Sequence, residues 1–300
     1  LVFLRPLGPP TWVFFVDLIP VYNRRLKNTA GFERDASLFT QYRKGRYMGN
    51  YAVSNAYQKV GFFPGAHGIP DPSRVQDDGS SRNIELPYSF VNHLKATTHQ
   101  EYAWEKLLLQ WDLGYQNNHR EEWSQFHTHY GTQPVPDKDP DKELAFTLNT
   151  FSSGGKVRFT GSQVWDHSAG WDLQYQRNTI SGYSFLLPEY TRFTTGLSWL
   201  TTYKPTDVFS VSGGLRYDIG KTDISPFTDA YLATYLQEQG YSQEVIEMNK
   251  VRSHAVDRSF GDYSGSLGIV WSPAKEHLLK VNVGHSFRLP GANELASNGV

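Results

Sequence analysis

The sequence predicts an all-β fold: an antiparallel transmembrane β-barrel, of which this chain forms a part. Three observations predict it. Aromatic residues make up 15% of the 300 residues, although the mean hydropathy is −0.52. Apolar and polar side chains alternate over long stretches of the chain. The segments between those stretches are short and long in turn.

The composition fits a barrel wall better than a soluble core. The chain contains 18 Tyr, 18 Phe and 8 Trp, and a soluble core with so many rings would usually contain more Leu, Ile, Val and Ala. A membrane barrel needs aromatic girdles and a polar interior, because its outer face meets lipid and its inner face meets water. The one strongly apolar run, 12–20, is too short for a membrane-spanning helix and contains Asp17. The net charge of −1 excludes a strongly basic nucleic-acid binder.

The alternation has a period of two residues from about residue 36 onward. It is clearest in 208–222 and 277–289, which we expect to be antiparallel strands of one curved sheet. Successive side chains of a strand point to opposite faces, so one face of this sheet is apolar and the other polar. The outer, convex face is expected to carry Phe209, Val211, Leu215, Val281, Val283 and Phe287.

The connections alternate in length. Short turns rich in Gly, Pro, Ser, Asp or Lys are expected at 45–46, 100–103, 152–155, 204–207 and 272–276. Long polar segments are expected at 64–87, 117–142, 177–190 and 221–260. A bacterial barrel has tight turns at one end and long loops at the other, whereas a β-sandwich has no reason to sort its loops in this way.

This pattern gives about ten strands in residues 31–300, while residues 1–30 match none of it and are left unassigned. An open array of ten strands would leave two unpaired edges in lipid, so we expect further strands in the parent chain. The segment 229–250 is rich in Leu, Gln and Glu and is expected to hold helical turns.

The last fifty residues carry a recognisable motif. S-F-R-x-P at 286–290 follows an alternating strand, and N-E-L at 293–295 comes directly after it. Similar blocks lie upstream, at 57–70, 91–96 and 113–121. Over residues 30–300 the sequence resembles TonB-dependent outer-membrane receptors, in which a barrel strand ends in S-F-R-x-P and an external loop begins with N-E-L.

The resemblance implies energised import across the outer membrane of a Gram-negative bacterium. Such receptors have a large barrel of the 22-strand plugged type, and a complex acting through TonB displaces the N-terminal plug. The plug, the TonB-contacting segment and the closing C-terminal strand are expected to lie outside this chain. The implied cargo is a scarce nutrient, either a metal ion or a metal chelate such as zinc, haem or a siderophore. No resident cofactor is required, since zinc or another transition metal would be cargo.

Histidines and acidic residues near the predicted loop end are candidate metal ligands. In an extended segment, His127 and His129 project to one side, so that both imidazoles could meet one ion. The candidate ligands are His67, His119, His127, His129, Glu121 and Glu122. The alternative is ordinary loop polarity, because ten histidines in 300 residues is only a mild enrichment.

Arg288 and Glu294 lie on either side of the end of the S-F-R-x-P strand. A guanidinium suits carboxylate recognition, so Arg288 could contact a ligand or the plug from the lumen wall. The alternative is an ion pair between these two residues across the inner barrel wall.

Three other classes of protein compete with a receptor. A passive porin or substrate-specific channel would have a smaller, unplugged barrel. An outer-membrane lipase or protease would need a catalytic motif, and the sequence contains no G-x-S-x-G, H-E-x-x-H or G-x-x-x-x-G-K. A soluble β-rich binding module would not alternate its turns. The sequence therefore predicts a receptor that is not an enzyme.

Overall fold

A computed structural model of the chain describes residues 11–17, 20–21, 28–62, 65–66, 69–70, 82–128, 130–131 and 133–296. One antiparallel sheet of twelve strands dominates it. The strands of this sheet are β1 (Thr11–Asp17), β2 (Pro20–Val21), β3 (Gly31–Lys44), β4 (Tyr47–Gly61), β7 (Tyr88–Ala103), β8 (Leu107–Trp123), β9 (Lys142–Phe159), β10 (Trp165–Ser181), β11 (Tyr190–Thr206), β12 (Phe209–Ile224), β15 (Val256–Ala274) and β16 (His277–His285).

The remaining elements are small and lie in the connections. Two short hairpins pair β5 (Gly65–Ala66) with β6 (Ile69–Pro70), and β13 (Phe227–Thr228) with β14 (Val251–Ser253). The helices are α1 (Ala230–Glu238), α2 (Gln243–Lys250) and α3 (Ala292–Ala296). Within the described part of the chain, no helix is long and apolar enough to span a membrane.

The sheet is a meander, in the order β1-β3-β4-β7-β8-β9-β10-β11-β12-β15-β16, with β2 paired to β3. Along this path, each strand from β3 to β15 has 14 to 19 residues, more than the nine to eleven that cross a bilayer. The predicted antiparallel fold of about ten strands is confirmed. β1 and β2 lie in the segment that the sequence pattern leaves unassigned.

Alternate connections of a meander fall at opposite ends of the sheet. Short turns at 45–46, 104–106, 160–164, 207–208 and 275–276 define what we call the turn end. Long connections at 62–87, 124–141, 182–189 and 225–255 define the loop end. The predicted sorting of turns and loops is therefore confirmed, and α1 and α2 confirm the predicted helical turns.

The two faces of the sheet differ in polarity, and directly paired residues share a face. Leu197, Leu215 and Val283 lie on one face and are 68%, 69% and 72% exposed. Arg216 and Ser266 lie on the other face. We call the apolar face the outer face and the polar face the inner face. Such large apolar side chains avoid water only if the outer face meets lipid.

Three details of the sequence prediction are wrong. Residues 100–103, predicted as a turn, lie at the end of β7, and the turn follows at 104–106. Residues 152–155 do not form a turn but lie within β9, where Gly155 pairs with Trp111 and Trp171. A Cβ atom on Gly155 would overlap the ring of Trp171, so this glycine makes room for a side chain rather than for a bend. The last strand ends at His285 and not at residue 289, so Phe287 lies beyond it.

A single buried asparagine joins three segments at the loop end. Asn28 is 3% exposed and has the left-handed φ of 60°. Its Nδ2 donates to the carbonyl oxygens of Phe62 and Pro87, both at 2.9 Å, and its Oδ1 accepts from the Glu85 amide at 2.7 Å. The start of β3 is thereby tied to both ends of the connection at 62–87.

We expect Asn28→Ala to lower the free energy of unfolding by about 2–4 kcal/mol, because it leaves buried backbone groups unpaired and strains a left-handed backbone. Asn28→Gly tolerates the same φ and isolates the loss of the hydrogen bonds, so it should lie between the alanine variant and the native protein. Denaturant unfolding in detergent measures all three, and equal midpoints would contradict the role of Asn28.

Candidate functional site

Three long connections at the loop end pack against one another through aromatic side chains. They are the connections at 124–141, 182–189 and 225–255. Ring centroids are 5.0 Å apart for Phe126 and Tyr183, 4.0 Å for Phe185 and Phe227, and 5.9 Å for Tyr130 and Tyr235. We call these six residues the loop-end aromatic cluster.

Tyr183 joins this cluster to the polar side chains around it. Its hydroxyl shares hydrogen bonds with Ser124 Oγ at 2.8 Å and His127 Nδ1 at 3.2 Å. Its carbonyl oxygen accepts from Gln133 Nε2 at 3.3 Å. Burial raises the pKa of Tyr183 and of Tyr130, so both phenols stay protonated at neutral pH. The cluster therefore combines rings with hydroxyl donors.

The connection at 225–255 is ordered by its helices. The Asp229 side chain caps α1 by accepting from the Leu232 amide at 3.0 Å, and Ser242 caps α2 through the Val245 amide at 3.4 Å. Ile246 is buried, whereas Tyr231 and Tyr241 are exposed. Helix α1 and the turn before α2 thus carry further exposed rings at the loop end.

The inner face carries a charged group beside a depression. Arg216 donates from Nη2 to Asp172 at 2.5 Å and from Nε to Asp218 at 2.8 Å. Small side chains on the neighbouring strands leave a depression of about 520 Å³ beside it. Those inner-face residues are Ser168, Gly170, Ser198, Gly214, Ser264 and Ser266. The lumen wall is therefore polar and open here.

The S-F-R-x-P and N-E-L motifs form one folded unit, residues 286–296, which we call the inner hook. The hook turns over the inner face of β12, where a Cβ atom on Gly220 would lie 3.0 Å from the Leu289 side chain. Arg288 donates to both carboxylate oxygens of Glu294, at 2.9 and 2.6 Å, and Glu294 also accepts from the Gly291 amide at 2.6 Å. The ion pair closes the hook itself. Contact of Arg288 or Glu294 with ligand or plug stays a prediction.

The predicted metal ligands that lie in the described residues are not gathered at one point. β8 continues to Trp123, so Glu121 and Glu122 belong to a strand and point to opposite faces. Glu121 lies on the outer face with His119, whose Nε2 is 3.0 Å from it and whose Nδ1 is 2.7 Å from Thr147 Oγ1. Glu122 lies on the inner face and pairs with Arg120.

His127 lies in a third place, beside Tyr183 of the loop-end aromatic cluster. His67 and His129 lie outside the described residues. Within the described ranges, no group of three or more His, Asp or Glu side chains is arranged to hold a metal ion. The described ligands therefore lie in three places: His119 with Glu121 on the outer face, Glu122 on the inner face, and His127 in the loops. The sequence prediction placed all of them together.

The loop-end aromatic cluster was not predicted from the sequence. Its paired rings lie more than forty residues apart in the sequence, as for Phe185 and Phe227. The only available signal was the number of Tyr and Phe residues in segments assigned as polar loops.

Comparison with known proteins gives a consistent result for the family. The family model described as TonB dependent receptor-like, beta-barrel, matches residues 25–300. A curated xylulose-5-phosphate phosphoketolase from Lactiplantibacillus pentosus is 27% identical over 148 residues, which is 47% of this chain and 18% of that protein. The phosphoketolase overlap is too short and too distant to assign the chain to that family.

Solved structures share the fold. The ferric-catecholate import receptor Fiu from E. coli K12, in its closed form, has a TM-score of 0.64 at 12% identity, covering 97% of this chain and 48% of that one. The FrpB iron transporter from Neisseria meningitidis has 0.61 at 12% identity, covering 93% and 42%. The copper transporter OprC has 0.58 at 10% identity, covering 93% and 41%. The chain thus spans less than half the length of these solved proteins.

The stability of the inner hook should depend on pH through the ionisation of Glu294. Hydrogen bonds from Arg288 and the Gly291 amide lower the pKa of Glu294 to about 2, from 4.5. The ion pair therefore contributes its full stabilisation of the hook above pH 4.5, and this stabilisation is lost as the pH falls through about 2. We expect hydrogen-exchange protection of 286–296, corrected for intrinsic rates, to be constant between pH 7 and pH 5 and to fall toward pH 2.

The matched variant is Glu294→Gln, which should reduce this protection about two- to fivefold at pH 7, since exposed ion pairs contribute modestly. In this variant the protection should lose the pH dependence. Two results would show that the ion pair does not hold the hook. One is native protection at pH 2 equal to that at pH 7, and the other is protection in the variant at pH 7 equal to that of the native protein.

Proposed function

Because the chain belongs to the family of TonB-dependent receptors, as part of their β-barrel, we propose that its parent protein takes up a scarce, metal-containing nutrient in a TonB-dependent manner. Receptors of this family are outer-membrane β-barrel proteins of Gram-negative bacteria, and this location agrees with the lipid-facing outer face of the sheet. The inner-membrane partner is the TonB complex, reached through a plug domain outside this chain.

The observation that carries the proposal is the match over residues 25–300 together with the sorted connections. Because the long connections lie at a single end, large loops surround one opening of the barrel, above a polar inner wall. A ligand that arrives from outside meets the loop-end aromatic cluster first. We propose that the barrel performs no catalytic step and holds no resident cofactor.

We propose that the cargo is a metal chelate. Similar solved proteins are described as carriers of iron, ferric catecholate or copper. In this chain the loop end offers rings, protonated phenols and the His127 imidazole. Rings that stack and hydroxyl groups that donate hydrogen bonds suit the organic shell of a chelate. A bare transition-metal ion and a passive channel for small solutes are the alternatives that the next experiment separates.

The full-length protein should restore metal-limited growth to a strain that lacks its own receptors. We expect growth on at least one ferric chelate from a panel of catecholates, citrate and haem, and loss of this growth when TonB is deleted, because the barrel alone supplies no energy. Growth that persists without TonB would support a passive channel. Growth only on zinc or copper salts would support a bare ion.

The role of the aromatic cluster can be tested with Tyr183→Ala. This change removes the ring contacts and hydrogen bonds of Tyr183, and we expect about tenfold weaker binding of the chelate that supports growth, the equivalent of about 1.4 kcal/mol. Tyr241→Ala is the matched control, since this exposed tyrosine lies outside the cluster. His127→Ala with His129→Ala tests imidazole ligation. A loss confined to the histidine pair would contradict the chelate proposal.

A further inference from the structure

Basic and aromatic side chains alternate along the outer face at the loop end of β3, β4, β7, β8 and β9. We call Arg34, Tyr57, Lys59, Tyr88, Trp123 and Lys142 the cation–aromatic rim. Arg34 pairs directly with Tyr57, and Tyr88 with Trp123, which places all four side chains on the outer face. Farther along the same strands, this face carries Leu38, Val53 and Leu113. The rim therefore borders the apolar band.

Each cation of the rim lies over a ring. Arg34 Cζ is 4.9 Å from the Tyr57 ring centre, Lys59 Nζ is 3.8 Å from that of Tyr88, and Lys142 Nζ is 5.1 Å from that of Trp123. These three are all the cation–ring contacts found in the described part of the chain. In each case the charged group itself lies over the face of the ring, at the border of the apolar band.

Two of these three charges have no acidic partner among the described residues. Lys142 is neutralised by Asp139 at 2.8 Å and Glu121 at 3.4 Å. Among the described residues, no carboxylate lies within ion-pair distance of Arg34 or Lys59. Glu33 and Asp35 flank Arg34 in sequence but point to the inner face. The rim therefore presents a guanidinium and an ammonium that are free to meet an anion.

The turn end of the outer face is built differently. Its rings pair with each other, with centroids 4.3 Å apart for Tyr102 and Trp104, and 4.4 Å for Trp165 and Tyr203. In the described residues, no Lys or Arg lies over a ring at that end. Both borders of the apolar band have an aromatic girdle. Lys44 pairs with Tyr47 at the turn end, but among the described residues a cation lies over a ring only at the loop end.

We propose that the cation–aromatic rim binds a phosphate-bearing glycolipid of the external leaflet of the outer membrane. Long loops mark the external side of such a barrel, so the rim lies at the level of the headgroups of that leaflet. Arg34 can bind a phosphate through two hydrogen bonds, and Lys59 adds a point charge beside it. The rings below contact the first part of the acyl chains. This inference rests on the location in the outer membrane and not on the identity of the cargo.

The test uses the full-length protein in phosphatidylcholine nanodiscs, titrated with lipid A that carries two phosphates or with the same lipid after removal of both. Bound lipid per protein is counted by native mass spectrometry. We expect the native protein to bind the phosphorylated form about tenfold more tightly than the dephosphorylated form. This comparison needs no variant. Equal affinity for the two lipids would overturn the proposal, since acyl chains alone would then explain binding.

Variants assign the effect to the rim. Arg34→Gln with Lys59→Gln should reduce affinity for phosphorylated lipid A about tenfold, to the level of the dephosphorylated lipid. Arg34→Lys with Lys59→Arg keeps both charges and should bind within about twofold of the native protein. Lys95→Gln with Lys280→Gln removes two charges from the inner face and should leave binding unchanged. Native affinity in the first pair, or an equal loss in the inner-face pair, would overturn the proposal.

Discussion

The structure depends on one constraint: inside a bilayer, every backbone N–H and C=O group must find its partner within the protein. A meander of antiparallel strands meets this demand because each strand pairs with its neighbours along its whole length. Irregular backbone is therefore displaced to the ends of the strands. The helices, the two short hairpins and the inner hook all lie beyond the long strands. The parts that can recognise a ligand are those that the bilayer does not constrain.

The same constraint explains what could be predicted from the sequence. A strand in a barrel wall has lipid on one side and water on the other, so its side chains alternate wherever it crosses the membrane. Strand number, pairing order and the sorting of connections follow from that alternation and from the turn residues. The alternation stops where the lipid stops, although the strand continues. The sequence therefore predicts an end of β8 near residue 116 and places Glu121 and Glu122 in a loop, whereas the strand extends to Trp123.

Contacts between distant segments have no period and could not be predicted. Glycine in 152–155 indicated a turn, but only the structure shows that Trp171, on the next strand, occupies the space above Gly155. The inner hook was read as the end of a strand because Phe287 and Leu289 continue the alternation. Leu289 instead packs over Gly220 of β12. In each case the local sequence favoured one conformation, and packing against another strand determined the observed one. Trp171 fills the space above Gly155, and Leu289 fills the space above Gly220.

The geometry of the wall also accounts for the concentration of large rings at the loop end. Successive long connections are rooted two strands apart, which is about 10 Å in an antiparallel sheet. Small side chains on two such connections cannot touch, whereas rings can bridge this gap when the connections lean together. Phe126 with Tyr183 and Phe185 with Phe227 each join adjacent connections in this way. Under the proposed function, the aromatic side chains that would bind the ligand are the same ones that hold the loops together, so we expect ligand binding and loop order to be coupled.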